Sequence, residues 1–393
     1  MGIFASKDRP LGLAPASVGD YRELARRRLP RQLFDYIDGG AYEEQTMRAN
    51  VDDLAAVRLR QRVMRNVSDR DLSCEVLGRR LSLPVILAPV GMAGMFARRA
   101  EVQAARAAEK VGTVFCESTV SICSIEEVAN TVSQPFWFQL YVMRDRGYAE
   151  KLMSRAADAG CDTLVLTVDL AVVGMRRRDI RNGLGGNLSP WKMLRRGWDI
   201  VSHPAWVRDV GLKGRPHTFG NLEEVVPGAR TPDAFKEWVD SQFDPSVTWE
   251  EIAWVRQNWS GKLVVKGVLD PEDAKAACDA GVDGIVVSNH GGRQLDAVPS
   301  TVRALPAVAD AVGDRVDVLV DGGVRSGLDV AKMLALGAKA CLVGRPWAWA
   351  VAAAGERGVR HVLRTLAADL DVALALTGVR RAADLDRGAL AET

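Results

Sequence analysis

Gly284-Ile285-Val286-Val287-Ser288-Asn289-His290-Gly291-Gly292-Arg293-Gln294-Leu295-Asp296 is the stretch on which the reading of this chain turns. Its opening run is apolar, β-branched and led by glycine, so it reads as a short buried strand. The polar burst that follows sits where the strand gives way to a loop. Two adjacent glycines let the backbone turn tightly or come close to a ligand. His290 and Arg293 flank them, setting a group that can take a proton beside a fork that can clamp a carboxylate. A second burst, Asp321-Gly322-Gly323-Val324-Arg325-Ser326-Gly327, follows the next apolar run, Val316 to Val320.

Outward from these bursts the chain alternates strand and helix. Strands are expected at 84–88, 113–117, 136–141, 163–168, 262–266, 283–288, 316–321 and 340–344. Helices between them are marked by Glu101–Lys110, Glu126–Ala129, Tyr148–Ala159, Trp249–Asn258, Pro271–Ala280, Val302–Ala311 and Leu328–Leu336. Several helices run into Gly and then a strand (Ala159-Gly160, Ala280-Gly281, Leu336-Gly337), the left-handed stop expected before a parallel strand. Eight parallel strands with intervening helices close as a (β/α)8 TIM barrel, so the fold class is α/β. Ahead of it, Ser17–Ala25 reads as a capped helix closing near Pro30, and Leu33–Ile37 as a short second helix ending at Gly39-Gly40. These form an N-terminal helical cap over one end of the barrel. The whole chain, 1–393, reads as one such domain.

One connection breaks the rhythm. After the fourth strand roughly 80 residues pass before its helix, an insertion at about 174–247 far longer than an ordinary βα loop. It holds Arg176-Arg177-Arg178, Gly183-Leu184-Gly185-Gly186 and Arg195-Arg196, with Trp191, Trp198 and Trp206 interleaved. It reads either as a surface lid or as a lid that docks on a membrane surface or a redox partner.

Composition narrows the classes. With 48% hydrophobic and 26% charged residues the chain is globular, and a net charge of +2 without a basic tail argues against nucleic acid as partner. The six cysteines show no CxxC spacing and read as reduced core residues of a cytoplasmic protein. Met1–Asp20 lacks the apolar core of a signal peptide, and no stretch nears the roughly 20 apolar residues that span a bilayer. Any membrane contact is therefore expected from one side. No HExxH, Cys/His cluster or GxSxG elbow appears, so neither a metal nor an acyl-enzyme is expected.

Sites in this fold gather at the C-terminal ends of the strands. Those ends carry Ala88-Pro89-Val90, Ser118, Gln139 with Tyr141, Thr167 with Asp169, Lys266, Ser288 with His290, Asp321, and Gly344-Arg345. That is more polarity than structure alone needs, since buried polar groups require partners. Gly322-Gly323, Arg325 and Gly344-Arg345 fall where this fold usually binds a phosphate. The amide, hydroxyl and ammonium groups of the third to fifth ends suit the edge of a polar heteroaromatic ring, on which Lys266 could stabilise negative charge. Asp169 and His290 come from different strands but could meet across the barrel mouth, where a carboxylate fixes an imidazole tautomer and favours the imidazolium.

In these residues the chain resembles the FMN-dependent α-hydroxy acid dehydrogenase and oxidase family. Ser288–Asp296 together with Asp321–Gly327 carries the resemblance, which extends from Tyr21 to about Val379. Within the family it is most similar to the bacterial respiratory branch acting on L-lactate, through Phe34–Tyr42, Leu87–Met92, Trp137–Val142, Lys266–Ala274, His203-Pro204, Gly214–His217 and Phe243–Ser246. The resemblance implies that FMN is the cofactor, and that His290 removes a proton from a small 2-hydroxy acid while two electrons pass to the flavin. Asp169 would stabilise the His290 imidazolium. Arg293 and Arg176 would hold the substrate carboxylate with help from Tyr36, and Tyr141 would contact the hydroxyl or keto oxygen. Ala88-Pro89-Val90, Ser118, Gln139, Thr167, Lys266 and Ser288 would line the isoalloxazine and ribityl parts. Asp321, Gly323, Arg325, Gly344 and Arg345 would hold the ribityl and phosphate end. Many members carry a proline where this chain has Ala171, which bears on substrate size. No haem-binding domain is expected ahead of the barrel.

The expected activity is oxidation of L-lactate to pyruvate, with electrons passed to a quinone or cytochrome. The expected setting is a homotetramer held peripherally at the cytoplasmic side of the cell membrane. A mandelate or other L-2-hydroxy acid dehydrogenase, or an oxygen-using oxidase, is the alternative within the class. A flavin-binding barrel without turnover and a metal-assisted barrel hydrolase or isomerase are the readings from other classes.

Overall fold

Successive side chains of a strand alternate between its two faces, and this pleat builds both layers of the core. A computed structural model of the chain describes residues 15–182, 190–225, 238 and 241–391. Eight parallel strands pair in the order β3-β10-β9-β8-β7-β6-β5-β4. They are β3 (Val85–Leu87), β4 (Cys116–Ser118), β5 (Trp137–Tyr141), β6 (Thr163–Thr167), β7 (Lys262–Val268), β8 (Gly284–Val287), β9 (Asp317–Val320) and β10 (Ala340–Val343). A parallel bridge from Leu87 to Phe115 closes β3 onto the start of β4 and completes the (β/α)8 barrel.

Ile86, Cys116, Trp137, Val165, Val264, Val286, Leu319 and Leu342 fill the barrel interior, while their neighbours in sequence pack outward on the helices. Two residues further along each strand lies the next inward position, at the barrel mouth. Those positions are Ala88, Ser118, Gln139, Thr167, Lys266, Ser288, Asp321 and Gly344. Along six of the eight runs, all but those ending in Ala88 and Gly344, the residue type changes from apolar to polar at this layer, where the packed interior ends and the site begins.

Helices α4 (Ala100–Val111), α5 (Ile125–Ala129), α6 (Arg146–Asp158), α10 (Glu251–Asn258), α11 (Pro271–Asp279), α12 (Thr301–Val312) and α13 (Gly327–Ala335) return the chain between strands. Gly160, Gly281 and Gly337 take the expected left-handed conformation before the following strands. The insertion holds α7 (Arg177–Arg181), α8 (Pro190–Val201), α9 (Pro204–Trp206) and a π-helical turn at Val207–Leu212. Gly183-Leu184-Gly185-Gly186 lies outside the described residues.

Three elements go beyond the expected set. A hairpin, β1 (Cys74–Val76) with β2 (Arg79–Leu81), plugs the barrel floor through Cys74, Val76 and Leu81. The cap carries α1 (Val18–Arg28), α2 (Arg31–Asp38) and also α3 (Gln45–Ala56), a full helix where only the first two were anticipated. After the last strand comes α14 (Arg345–Thr377), interrupted by non-helical backbone at Ala354 and Gly355. All six cysteines are unpaired, and all but Cys278 are buried.

Candidate active site

The mouth layer and its loops enclose one cleft. It is lined by every anticipated site residue except Ser118, Asp169 and Ser288, which stand directly behind the lining. Ser118 Oγ donates to Gln139 Oε1 at 3.1 Å. Ser288 Oγ accepts from Lys266 Nζ at 2.9 Å and from the His290 amide at 3.0 Å. Asp169 backs His290: its carboxylate oxygens lie 3.0 and 3.2 Å from Nδ1. Residues 121 apart in sequence thus meet across the mouth, as anticipated.

Burial lowers the His290 pKa below the ordinary imidazole value; Asp169 opposes this, and Lys266 and Arg176 reinforce it. The net direction differs from the sequence expectation that Asp169 would favour the imidazolium. Burial also disfavours charge on Asp169, but His290 and Lys266 overcome it and hold the carboxyl below its usual range. A neutral imidazole that donates Nδ1–H to an ionised Asp169 keeps Nε2 as a proton acceptor.

Arg293 is pinned by two bonds from Nη1, to the Tyr36 carbonyl at 2.6 Å and the Gly39 carbonyl at 2.8 Å, and its guanidinium lies over the Tyr36 ring at 4.9 Å. Those carbonyls end α2, where the helix dipole favours a cation. Arg176 Nε reaches the Arg293 carbonyl at 3.4 Å, so two guanidiniums converge from different elements. Burial lowers the Arg293 pKa and Arg176 adds to the effect. Among the described residues neither has a carboxylate within ion-pair range, which is the electrostatic character of a carboxylate-binding site. Tyr141 stands half-buried beside them, and desolvation raises its pKa.

The other end of the cleft is also cationic. Arg325 donates to its neighbouring carbonyl, Val324 O, at 2.7 Å and lies over the Trp349 ring at 5.0 Å. Arg345 donates to the carbonyls of Ile37, Gly291 and Gly39 at 3.0, 2.9 and 2.8 Å. Burial pushes Arg325 down to about 10 and Arg345 down to about 9. Lys266 stands between these regions, 3.0 Å from Asp321 Oδ2. Burial opposes its charge, but Asp321 and Asp169 raise its pKa, so it stays an ammonium.

The donor set fits FMN on two independent observations. Gln139 Nε2 and Asp321 Oδ1 are buried polar atoms without a hydrogen-bond partner, and both residues line the cleft. A ring edge with donors and acceptors and a ribityl chain with hydroxyls would satisfy them. Arg325 and Arg345 have no described carboxylate partner, yet they lie beside Gly323 and Gly344 at the cationic end of the cleft, where a phosphate would suit them.

The cleft also has walls that were not anticipated, among them Leu170, Val173, Phe219 and Phe243. Phe243 meets Tyr141 edge to face, with centroids 5.3 Å apart. Phe219 and Phe243 come from the insertion, so it contributes to the site as well as covering it. Trp206 departs from the pattern read for the insertion tryptophans. It is buried and its Nε1 donates to the Met95 carbonyl at 2.8 Å, whereas Trp191 and Trp198 are 75% and 76% exposed.

The barrel, a donor set that fits a flavin and the cationic far end of the cleft define a flavin-dependent oxidoreductase. The sequence profile of the FMN-dependent dehydrogenase family matches residues 25–392, and the chain belongs to that family and uses FMN. It is 56% identical over 377 residues to an L-lactate dehydrogenase of Caulobacter vibrioides (strain NA1000 / CB15N), covering 96% of this chain and 98% of the relative. It is 51% identical over 372 residues to an L-lactate dehydrogenase of Yersinia pestis (strain Pestoides F), covering 95% and 97%. Among solved structures it is similar to a monotopic membrane protein, (S)-mandelate dehydrogenase, at a TM-score of 0.90 and 37% identity, covering 97% of this chain and all of that one.

Proposed function

We propose that the protein oxidises L-lactate to pyruvate and that His290 is its base. The observation that carries this reading is the juxtaposition of the His290–Asp169 pair with the guanidiniums of Arg293 and Arg176 in one cleft. Arg293 and Arg176 bind the substrate carboxylate, with Tyr36 held against Arg293. Tyr141 donates to the oxygen on C2. The substrate is thereby oriented with C2 and its hydroxyl toward His290, and Nε2 takes one of the two hydrogens that leave as a proton, the other departing as proton or hydride as the 2-oxo acid forms. Asp169 holds the ring and compensates the charge His290 gains. FMN, when bound, supplies the acceptor for the two electrons that leave with oxidation. Lys266 keeps a positive charge beside the ring position, and Arg325 and Arg345 hold the phosphate.

Electrons then pass to a quinone or cytochrome at a membrane surface, with the protein bound from the cytoplasmic side. The exposed face of α8 supports this part of the proposal. It presents Trp191, Met193, Leu194, Trp198 and Val201 to solvent, with Arg195 beside them. Such a face suits the interfacial layer of an anionic bilayer. Asp199 on the same helix accepts from the Arg31 amide at 2.8 Å, tying α8 to the first residue of the helix that carries Tyr36. Among the described residues no helix is long and apolar enough to cross a membrane. A homotetramer is part of the same proposal, and light scattering on the eluting peak would show another mass if it is wrong.

The test is the visible spectrum of the purified protein without oxygen, before and after L-lactate, with D-lactate and L-mandelate in parallel. Bleaching of the flavin band within the mixing time by L-lactate is the expected result. Faster bleaching by L-mandelate would move the substrate to the aromatic acid. A band that stays oxidised with all three would remove the assignment to small 2-hydroxy acids, and peroxide on admitting air would point to an oxidase.

A further inference from the structure

His290 is held in an unusual backbone conformation. Its φ is +57°, in the left-handed region where a residue with a Cβ is disfavoured, so its surroundings must enforce it. The next residue back, Asn289, is buried and has its amide fully used. Its Oδ1 accepts from the Gly292 amide at 3.1 Å, closing a turn over His290 and Gly291. Its Nδ2 donates to the Pro299 carbonyl at 3.2 Å. The remaining donor and acceptor go to one residue of α3: Asn289 Nδ2 donates to Asn50 Oδ1 at 2.8 Å, and Asn50 Nδ2 donates back to Asn289 Oδ1 at 2.9 Å. Asn50 Oδ1 also accepts the Thr301 amide at 3.1 Å.

The same helix is fastened to the far end of the same loop. Glu44, before the first residue of α3, is left-handed and provides no side-chain cap. Asp296 caps the helix instead, accepting from the amides of Glu43, Gln45 and Thr46 at 3.1, 3.2 and 2.8 Å. Between the two fastenings the loop lies against the helix. A Cβ at Gly292 would meet the Met47 amide nitrogen at 2.5 Å, and one at Gly323 in the phosphate-end loop would collide with the Asn50 carbonyl.

We propose that Asn50 is a positioning residue that acts on His290 through the reciprocal amide pair with Asn289. It rests on the reading of His290 as the base. Asn50 touches neither substrate nor the reacting atoms. It fixes the turn that holds the imidazole over the cleft, and it packs against the loop that carries Gly323. A base displaced by about 1 Å loses on the order of a hundredfold in rate. Removing Asn50 should therefore slow the chemical step more than it weakens binding.

The experiment measures anaerobic flavin reduction by L-lactate in stopped flow, on FMN-saturated protein and per bound flavin. Asn50→Ala is expected to slow reduction roughly ten- to hundredfold, with lactate affinity within about threefold and the isotope effect on the C2 hydrogen retained. Asn289→Ala should behave alike, and the double variant should be no slower than the slower single one, because the pair acts as a unit. Asp53→Ala removes the carboxylate that α3 offers to Ser300 and Arg303, so it should lower the melting temperature without slowing reduction. If Asn50→Ala does not fold, Asn50→Asp keeps the shape and the acceptor bonds but loses the donor, and the same separation of rate from affinity is expected. Wild-type reduction in the folded Asn50 variant, additive losses in the double variant, or equal slowing by Asp53→Ala would each overturn the proposal. His290→Gln separates the two readings. An inactive His290→Gln beside a wild-type Asn50 variant overturns the positioning alone, whereas rapid reduction by His290→Gln overturns the base itself.

Discussion

Asp169 lies 3.0 Å from Nδ1 of His290, and burial outweighs its attraction for a proton on the ring. The consequence is an imidazole that is neutral at rest and ready to accept at Nε2, as the proposed role of His290 as base requires. Activity in kcat/KM should therefore rise with pH and level off above the His290 pKa, with the limb on the acid side of about 6.5. Asp169→Asn removes the charge that opposes the lowering, so the limb should move further to acid. It also leaves the charged imidazole uncompensated, and the rate should fall by roughly a hundred- to ten-thousandfold with FMN still bound. A limb that moves toward alkaline pH in the variant would contradict this account.

Lys266 is a buried ammonium kept charged by Asp321 and Asp169. Its replacement by Met leaves Asp321 Oδ2 without its partner at 3.0 Å and withdraws a positive charge from beside the flavin position. The reduced flavin, which gains negative charge, is the form that loses most. The midpoint potential should become more negative by several tens of millivolts, at about 30 mV for each 1.4 kcal/mol of lost attraction. Dye equilibration measures it, and an unchanged potential would show that the charge does not act on the ring.

Arg325 and Arg345, proposed to hold the same phosphate, differ in what else they hold. Among the described residues the Arg325 guanidinium hydrogen-bonds Val324 and lies over the Trp349 ring, whereas Arg345 ties α2 to the Gly291 turn. Arg325→Ala should weaken FMN about ten- to hundredfold, the loss of one charge-assisted bond, while the apoprotein melts at nearly the wild-type temperature. Arg345→Ala should weaken FMN and also lower the apoprotein's melting temperature. Fluorescence titration of the apoprotein with FMN, run beside calorimetry, distinguishes the two. Equal apoprotein melting in both variants would remove the structural role given to Arg345.

Much of this site could be read from the chain because barrel strands are buried on both faces. Runs such as Ile285–Val287 carry no polar residue until the mouth, so the first polar inward position announces the site layer. Elements fixed by distant partners were not legible. Helix α3 begins at a left-handed Glu44 and is capped by Asp296, 250 residues from Thr46, so no local start signal exists. The floor hairpin has strands too short to show alternation, and its role comes from docking on the interior cluster. The last helix opens at Arg345, read first as a phosphate contact, and breaks at Ala354–Gly355, which masks its length. Phe219 and Phe243 reach the cleft through the folding of the insertion, and no spacing relates them to the strand ends.

Phe243 places a wall beside Tyr141, and in the proposed binding mode it limits the group that C2 of the substrate can carry. Phe243→Ala should open room for an aryl side chain without removing a polar contact. The ratio of kcat/KM for L-mandelate over L-lactate should rise by roughly ten- to hundredfold, the worth of about 1–3 kcal/mol of pocket contact. Steady-state rates with an artificial acceptor suffice to measure it. An unchanged ratio would transfer the selectivity to Leu170, Val173 or Phe219.

The exposed tryptophans of α8 and the buried Trp206 predict opposite consequences from the same substitution. Trp191 and Trp198 bury little in the folded chain, so Trp191→Ser with Trp198→Ser should leave the melting temperature and lactate-driven flavin reduction unchanged. Trp206 packs in the core and donates to Met95, so Trp206→Ser should lower the melting temperature by removing that packing and leaving the carbonyl unpaired. Co-flotation with vesicles containing anionic lipid should be lost in the double variant and reduced by added salt, since Arg195 contributes attraction that salt screens. Quinone reduction in vesicles should fall with flotation while reduction of a soluble acceptor persists. Flotation that survives loss of both tryptophans would place any membrane contact on another face of the protein and separate α8 from electron delivery.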